Sequence, residues 1–115
     1  MNYPLVSVIM PVYNTADLVC MAIDSILGQT YSNVEVIAVN DGSTDHSLEI
    51  LHKAYDGNDR VRIYHKNNGG ASSARNEALK HVNGDFVTFL DSDDTFAPDA
   101  IRILMKTLVE NGADA

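Results

Sequence analysis

The sequence predicts an α/β fold, a mostly parallel sheet with helices on both faces. Three observations carry that prediction. Apolar runs of strand length alternate with segments whose apolar residues recur at helical spacing, strand then helix, four times over. The strand runs are apolar at successive positions, the pattern of strands covered on both sides. Each run also ends in a polar exit, where ligands of such sheets bind.

LVSVIM, Leu5 to Met10, is a nearly continuous apolar run, ended by Pro11. Leu18, Ala22 and Ile26 form one i+4 row and Val19, Ile23 and Leu27 the next, giving a helix stripe with Gly28 at its C-terminal stop. VEVIAV, Val34 to Val39, is rich in β-branched residues and reads as a second strand. Leu48, Ile50 and Leu51 mark a second helix that ends near the turn-rich YDGND. VRIYH, Val61 to His65, is a short third strand. A third helix runs from about Ala71 to His81, with Ala74, Ala78 and Leu79 as its buried face, and NGD, Asn83 to Asp85, breaks it. FVTFL is the fourth strand, and Pro98 suits the first turn of a fourth helix. Together these describe a Rossmann-like sheet. The chain stops at NGADA, where a fifth strand is due, so the sequence reads as a truncated domain.

Composition excludes several classes. A length of 115 residues is one domain's worth, and 45% hydrophobic content is that of a globular body. No apolar run approaches the roughly 20 residues of a membrane span. MNYPLVSVIM has no basic n-region, so no secretory signal is expected. Sixteen acids against eight bases argue against a nucleic-acid partner and are compatible with a cation site or with an acidic solvated surface. Cys20 falls in a helical apolar pattern and is expected to pack in the core.

The four exits are PVYNTA, NDGSTD, KNNGGASSARN and DSDD. None contains a P-loop, and PVYNTA has no glycine for a dinucleotide fingerprint. NNGG can let backbone approach a ligand or simply make a turn. DSDD fails as a calcium loop, because Phe96 and Arg102 stand where glycine and glutamate are needed. On an extended exit Asp91 and Asp93 point the same way, and two close carboxylates repel unless a cation lies between them. Mg²⁺ or Mn²⁺ suits that arrangement, and a solvated capping turn is the plainer account, above all for Asp94. In VNDGSTD, Val39 stands where a D-x-D-G-T phosphatase needs aspartate, so Asp41 reads as a ligand-facing carboxylate or as a local turn. His46, His52, His65 and His81 are scattered without metal spacing, and Ser72 and Ser73 lack a nucleophile elbow. Arg75 is placed to pair with a phosphate, to brace an aspartate or to form a surface ion pair.

VSVIMPVYN, SILGQTYSNVEVIAVNDGSTD, NGGASSARNEAL and GDFVTFLDSDD resemble, in order and with ordinary spacing, the N-terminal half of family 2 glycosyltransferases of GT-A fold. The resemblance runs from about Val6 to the end of the chain. It implies transfer of a sugar, with inversion, from a nucleotide diphosphate sugar, commonly a UDP-sugar, to a saccharide, lipid-linked or other acceptor. It places Pro11, Tyr13 and Asn14 against the nucleoside, with Tyr13 beside the base and Asp41 hydrogen-bonding it. Asp91-Ser92-Asp93 matches the family's D-x-D motif, with Asp91 and Ser92 near the ribose and Asp93, aided by Asp91, at the metal, Mn²⁺ or Mg²⁺. Arg75 matches the A-R-N segment. Residues 1–115 would then be the nucleotide-sugar-binding part, with the catalytic base and acceptor pocket beyond Asp94. Asp99 and Glu110 fall in the fourth helix pattern, and neither is assigned as base. Such an enzyme is expected in the cytoplasm, at the membrane surface if a further segment carries it there. A nucleotidyltransferase would want a glycine- and base-rich first loop, and a receiver-like domain would want acids where Met10 and Pro11 stand. A binding module without transfer stays open at this point.

Overall fold

The computed structural model describes residues 3–110. Its elements are β1 (Val6–Val12), α1 (Val19–Leu27), β2 (Val34–Asp41), α2 (Ser47–Tyr55), β3 (Val61–Lys66), α3 (Ala71–Leu79), β4 (Phe86–Phe89) and α4 (Ala100–Glu110). The strands form one parallel sheet in the order β3-β2-β1-β4. The predicted alternation is thus realised as a Rossmann-like α/β sheet.

The period-2 geometry of the strands divides their residues between two faces. Val6, Val8, Met10 and Val12 of β1 meet Ala22, Ile23 and Ile26 of α1, Leu51 and Tyr55 of α2, and Ile101 and Met105 of α4. On the other face Ile9, Ile37 and Val39 pack against Ala74 and Ala78 of α3, with Tyr64 and Val82 half-buried at the margin. The buried residues of α3 are both alanines, which lets the helix lie close over the two central strands. All eight residues of β2 are buried. Each large aliphatic there contributes about 1.5–3 kcal/mol by leaving water, against about 1–2 kcal/mol per residue for fixing the backbone.

Some local expectations shift. β1 continues through Pro11 to Val12. The Ile9 C=O accepts from Leu90 N–H at 3.0 Å, so odd-numbered residues of β1 face β4. Pro11 faces the same side, but the β1–β4 ladder ends at Ile9 and Phe89. A proline costs no ladder bond beyond that end. Leu79, expected in the buried face of α3, is exposed, as are Val87 and Phe89 on the α3 side of β4, an edge strand among the described residues. Leu18 is also exposed and precedes α1, whose buried stripe is Val19, Ala22, Ile23 and Ile26. Pro98 lies in a turn just ahead of α4. Cys20 is half-buried against the larger core, close to expectation.

One polar cluster lies under α3, at the N-terminal ends of the strands. Glu35 is buried and accepts from Ser7 Oγ (2.5 Å), Arg62 (2.9 Å) and Asn83 N–H (2.8 Å). Ser7 Oγ in turn accepts from Gly84 N–H at 2.8 Å, and Arg62 also donates to the His81 C=O. A side chain at Gly84 would lie 2.5 Å from Ser7 Oγ and 2.7 Å from its backbone N, so the loop into β4 can sit this close only as glycine. Burial alone would raise the Glu35 carboxyl. The hydrogen bonds from Ser7 and Asn83 and the Arg62 guanidinium outweigh it and hold the group below the usual glutamate range.

A folded-state value below the ordinary 4.5 means that Glu35 stabilises the fold fully above that value, and that this stabilisation drains as pH falls through the lower folded value. Glu35→Gln should therefore cost about 2–4 kcal/mol at neutral pH. In urea titrations the gap between wild type and variant should close in acid. A gap that stays constant from pH 7 to pH 3 would contradict this account.

Candidate functional site: a cleft at the strand exits

Going outward from β1, the chain adds β2 and β3 on one side, then crosses under the sheet through α3 and places β4 on the other. That reversal leaves a crevice at the C-terminal ends of β1 and β4, the switch point where open α/β sheets bind ligands. A cleft of about 520 Å³ opens there and draws on all four exits. Pro11, Tyr13 and Thr15 come from the first, Asp41 from the second, Asn68, Gly70 and Ala71 from the third, and Asp91, Ser92 and Asp93 from the fourth.

Asp41 is the last residue of β2, and its side chain is 4% exposed. Its two oxygens accept from Gly69 N–H (2.9 Å) and Gly70 N–H (3.0 Å), with longer contacts to Lys66 Nζ (3.3 Å) and Asn68 Nδ2 (3.4 Å). The buried charge thereby folds the KNNGG exit over itself, with Asn68 Nδ2 also donating to the Asp41 C=O at 3.0 Å. The next residue, Gly42, has φ +67°, and a Cβ there would sit 2.6 Å from Asn68 N. Both the left-handed backbone and the close approach demand glycine. The NNGG stretch is thus a backbone cradle held by a carboxylate.

A second set of bonds clamps PVYNTA to NDGSTD. Asn14 takes φ 53°, rare for a residue with a side chain, and its Oδ1 accepts from Thr44 N–H (2.8 Å) and Asp45 N–H (3.3 Å). Asn14 N–H donates to Ser43 Oγ, Thr15 N–H to Ser47 Oγ and Ala16 N–H to Asp45 Oδ2. Burial would raise the Asp45 carboxyl, but the Ser47 hydroxyl and the N–H groups of Ser47 and Ala16 hold it below the usual aspartate range. Asn14, expected on the nucleoside side of the site, is not among the cleft-lining residues, and its Oδ1 is engaged in this clamp.

DSDD is a tight turn, not the extended exit expected of it. Asp94 N–H donates to the Asp91 C=O at 3.0 Å. The turn folds residues three apart onto one side, so Asp91, Asp93 and Asp94 each bring one carboxylate oxygen within 4.8 Å of the others. Asp94, of the three the one for which a plain capping turn is most expected, joins this group through that turn, and α4 begins only at Ala100. Three exposed carboxylate oxygens at that spacing are a hard donor set that fits Mg²⁺ or Mn²⁺ completed by water. Arg75 lies outside the cleft lining and contacts Asp91 from the rim at 3.4 Å. Ser92 is buried, and its Oγ accepts from Thr15 Oγ1 at 2.8 Å.

Of the site residues expected from the sequence, Pro11, Tyr13, Asp41, Asp91, Ser92 and Asp93 therefore line one cleft, while Asn14 and Arg75 lie beside its lining. Thr15, Asn68, Gly70 and Ala71 were not singled out; only the glycine pair carried a signal. The four histidines lie elsewhere: His46, His52 and His81 pair with Glu49, Asp56 and Glu77, and His65 meets Asn40. Asp99 is tied to Thr30 and Arg102, and Glu110 to Lys106. Among the described residues no helix is long and apolar enough to cross a membrane.

The sheet order and the cleft define the nucleotide-binding type of α/β architecture seen in GT-A enzymes. The chain belongs to glycosyl transferase family 2, whose model matches residues 7–115. It is 44% identical over 108 residues to a chondroitin synthase of Pasteurella multocida, covering 94% of this chain and 11% of that protein. Its structure is similar to that of S. aureus TarS 1–349 in complex with UDP, with a TM-score of 0.84, 30% identity, and coverage of 94% of this chain and 33% of that one. It is also similar to the mannosyltransferase PcManGT from Pyrobaculum calidifontis in complex with GDP-Man and Mn²⁺, with a TM-score of 0.81, 29% identity, and coverage of 93% and 33%. The chain thus spans a small part of that synthase and about a third of those two solved chains.

The bonds around Asp41 give a test of the cradle. Asp41→Asn replaces an acceptor oxygen with an N–H₂ that must face a backbone N–H. Loss of one well-made contact to a buried group should cost about 1–3 kcal/mol in urea unfolding. Gly42→Ala should cost at least about 1 kcal/mol through strain and the clash with Asn68. Wild-type stability in both variants would show that the cradle is not held as described.

Proposed function

We propose that the protein transfers a sugar, with inversion, from a nucleotide diphosphate sugar, by preference a UDP-sugar, to a saccharide or lipid-linked acceptor, and that residues 1–115 are its nucleotide-sugar-binding part. The observation that carries this reading is the convergence of an aromatic ring, a buried carboxylate and an acidic turn on one cleft at the switch point. The UDP in the TarS complex and the GDP-Man and Mn²⁺ in the PcManGT complex support it.

Each residue then has a physical task. Tyr13, exposed at the mouth of the cleft, offers a ring face to the base, flanked by Pro11. Asp41 accepts a ring N–H of the base, which uracil, thymine and guanine all present. Its rigidity comes from the glycine N–H groups behind it, so it costs little reorganisation on binding. Asp91 and Ser92 meet the ribose, and Asp93 with Asp91 holds the cation. Bound there, a divalent ion offsets the negative charge that grows on a departing diphosphate. Arg75 keeps Asp91 in place from the rim and is available to the ligand's phosphates. An inverting transfer also needs a base for the acceptor hydroxyl. Asp99 and Glu110 are engaged away from the cleft, so the base is assigned to the part of the enzyme beyond this chain. The proposed setting is the cytoplasm, at the membrane surface where the acceptor is lipid-linked.

Calorimetry with UDP tests this directly. With Mn²⁺ present UDP should bind, and chelator or Asp93→Asn should weaken it at least about tenfold, the scale of one lost charge-assisted contact. Because Asp93 is exposed, the melting temperature of the variant should stay within about 2 °C. GDP and dTDP should bind more weakly than UDP. Binding that ignores both the metal and Asp93 would defeat the assignment of the cation to this turn.

A further inference from the structure

The geometry points to Thr15 as a positioning residue that acts on the ligand through Ser92, an inference that rests on the nucleotide-site reading above. The Thr15 hydroxyl donates to Ser92 Oγ at 2.8 Å and so joins the exits of β1 and β4. The sheet does not join them, because the ladder between those strands stops at Ile9 and Phe89. Thr15 is itself well anchored. Its N–H donates to Ser47 Oγ at 3.1 Å, and its C=O accepts from the N–H groups of Leu18 (2.9 Å) and Val19 (2.8 Å). The hydroxyl therefore projects from a fixed point at the head of α1.

What this does to Ser92 follows from the chemistry of a hydroxyl, which has one proton to give and two lone pairs. Ser92 is 5% exposed and lines the cleft. The contact with Thr15 uses part of that capacity, and among the described residues Ser92 Oγ has no other hydrogen-bond partner. What remains is turned to the cleft, where a ribose or phosphate oxygen can meet it. Thr15 in this way sets the place of the acidic turn relative to the base side of the cleft and the direction from which the hydroxyl at its second position meets the ligand. A valine there keeps the shape and removes that hold.

The test uses the full-length protein with Thr15→Val, Thr15→Ser, Ser92→Ala and the Thr15→Val/Ser92→Ala pair. Two readouts are UDP affinity with Mn²⁺ by calorimetry and amide hydrogen exchange across Asp91–Asp94. Thr15→Val should weaken UDP roughly fivefold, the weight of one ordinary hydrogen bond, and Thr15→Ser should restore it. In the Ser92→Ala background Thr15→Val should cost nothing more, since the contact is already gone. Exchange across the turn should speed up in Thr15→Val and not in Thr15→Ser. An equal cost of Thr15→Val in both backgrounds, or unchanged exchange, would overturn the role given to Thr15. Failure of the wild type to bind UDP, GDP or dTDP would sink the nucleotide reading instead. In that event the exchange comparison alone decides on Thr15: faster exchange upholds its hold on the turn, and unchanged exchange overturns it.

Discussion

The hydrogen bond from Leu90 N–H to the Ile9 C=O is the last rung between β1 and β4, and the site depends on where it falls. Below it, the two strands are one sheet, and Val6, Val8 and Ile9 of β1 belong to the cores. Above it, β1 runs on through Pro11 and Val12 while the other strand has already turned into Asp91. The gap between them is the cleft. Had the ladder extended two residues further, Pro11 would have faced β4 with no N–H to give. A longer ladder would lose a bond at Pro11 that the shorter one does not need, so sequence and site agree on where the sheet ends.

Around that gap the exits hold one another. Asp41 folds the third exit, Asn14 and Asp45 clamp the first to the second, and Thr15 reaches the fourth. Polar loops normally carry little stability of their own. Here hydrogen bonds from side chains to the backbone and to one another supply the order that apolar packing supplies elsewhere, with Asp41 buried and Asn14 and Asp45 at the surface. At the opposite ends of the strands, Glu35 does the comparable task for the α3–β4 loop. The two polar clusters sit at opposite ends of one apolar sheet, so a change at Glu35 acts on stability without touching the cleft.

The fold class was legible because its signals are local: consecutive β-branched runs, i+4 apolar rows and a glycine or turn cluster after each. That the acidic turn and Asp41 lie at the cleft was legible for a different reason, since both stand directly at the exits of strands. What escaped were the contacts that depend on distance along the chain. Glu35 looks like one acid in an apolar strand, and nothing near it in sequence announces Arg62, Ser7 or Asn83. Thr15 looks like an ordinary helix-start residue, because Ser92 lies far away in the chain. The convergence of Asp91 with Asp93 was anticipated, but by an extended backbone; the turn closed by Asp94 N–H does it and brings Asp94 along. Asn14 is expected at the ligand from its motif, and nothing in the sequence signals that its Oδ1 also holds Thr44 and Asp45.

The exposed side of β4 has a practical consequence. Among the described residues this strand has one neighbour, and Val87 and Phe89 stand 38% and 48% exposed along it. An open row of backbone donors and acceptors beside apolar side chains is a template for another strand. Preparations in which that edge is left uncovered should therefore be prone to self-association as concentration rises, by a route that has nothing to do with the cleft. Lysine or glutamate in place of Val87 would be the first change to make for solubility, because it charges the edge and leaves both cores intact.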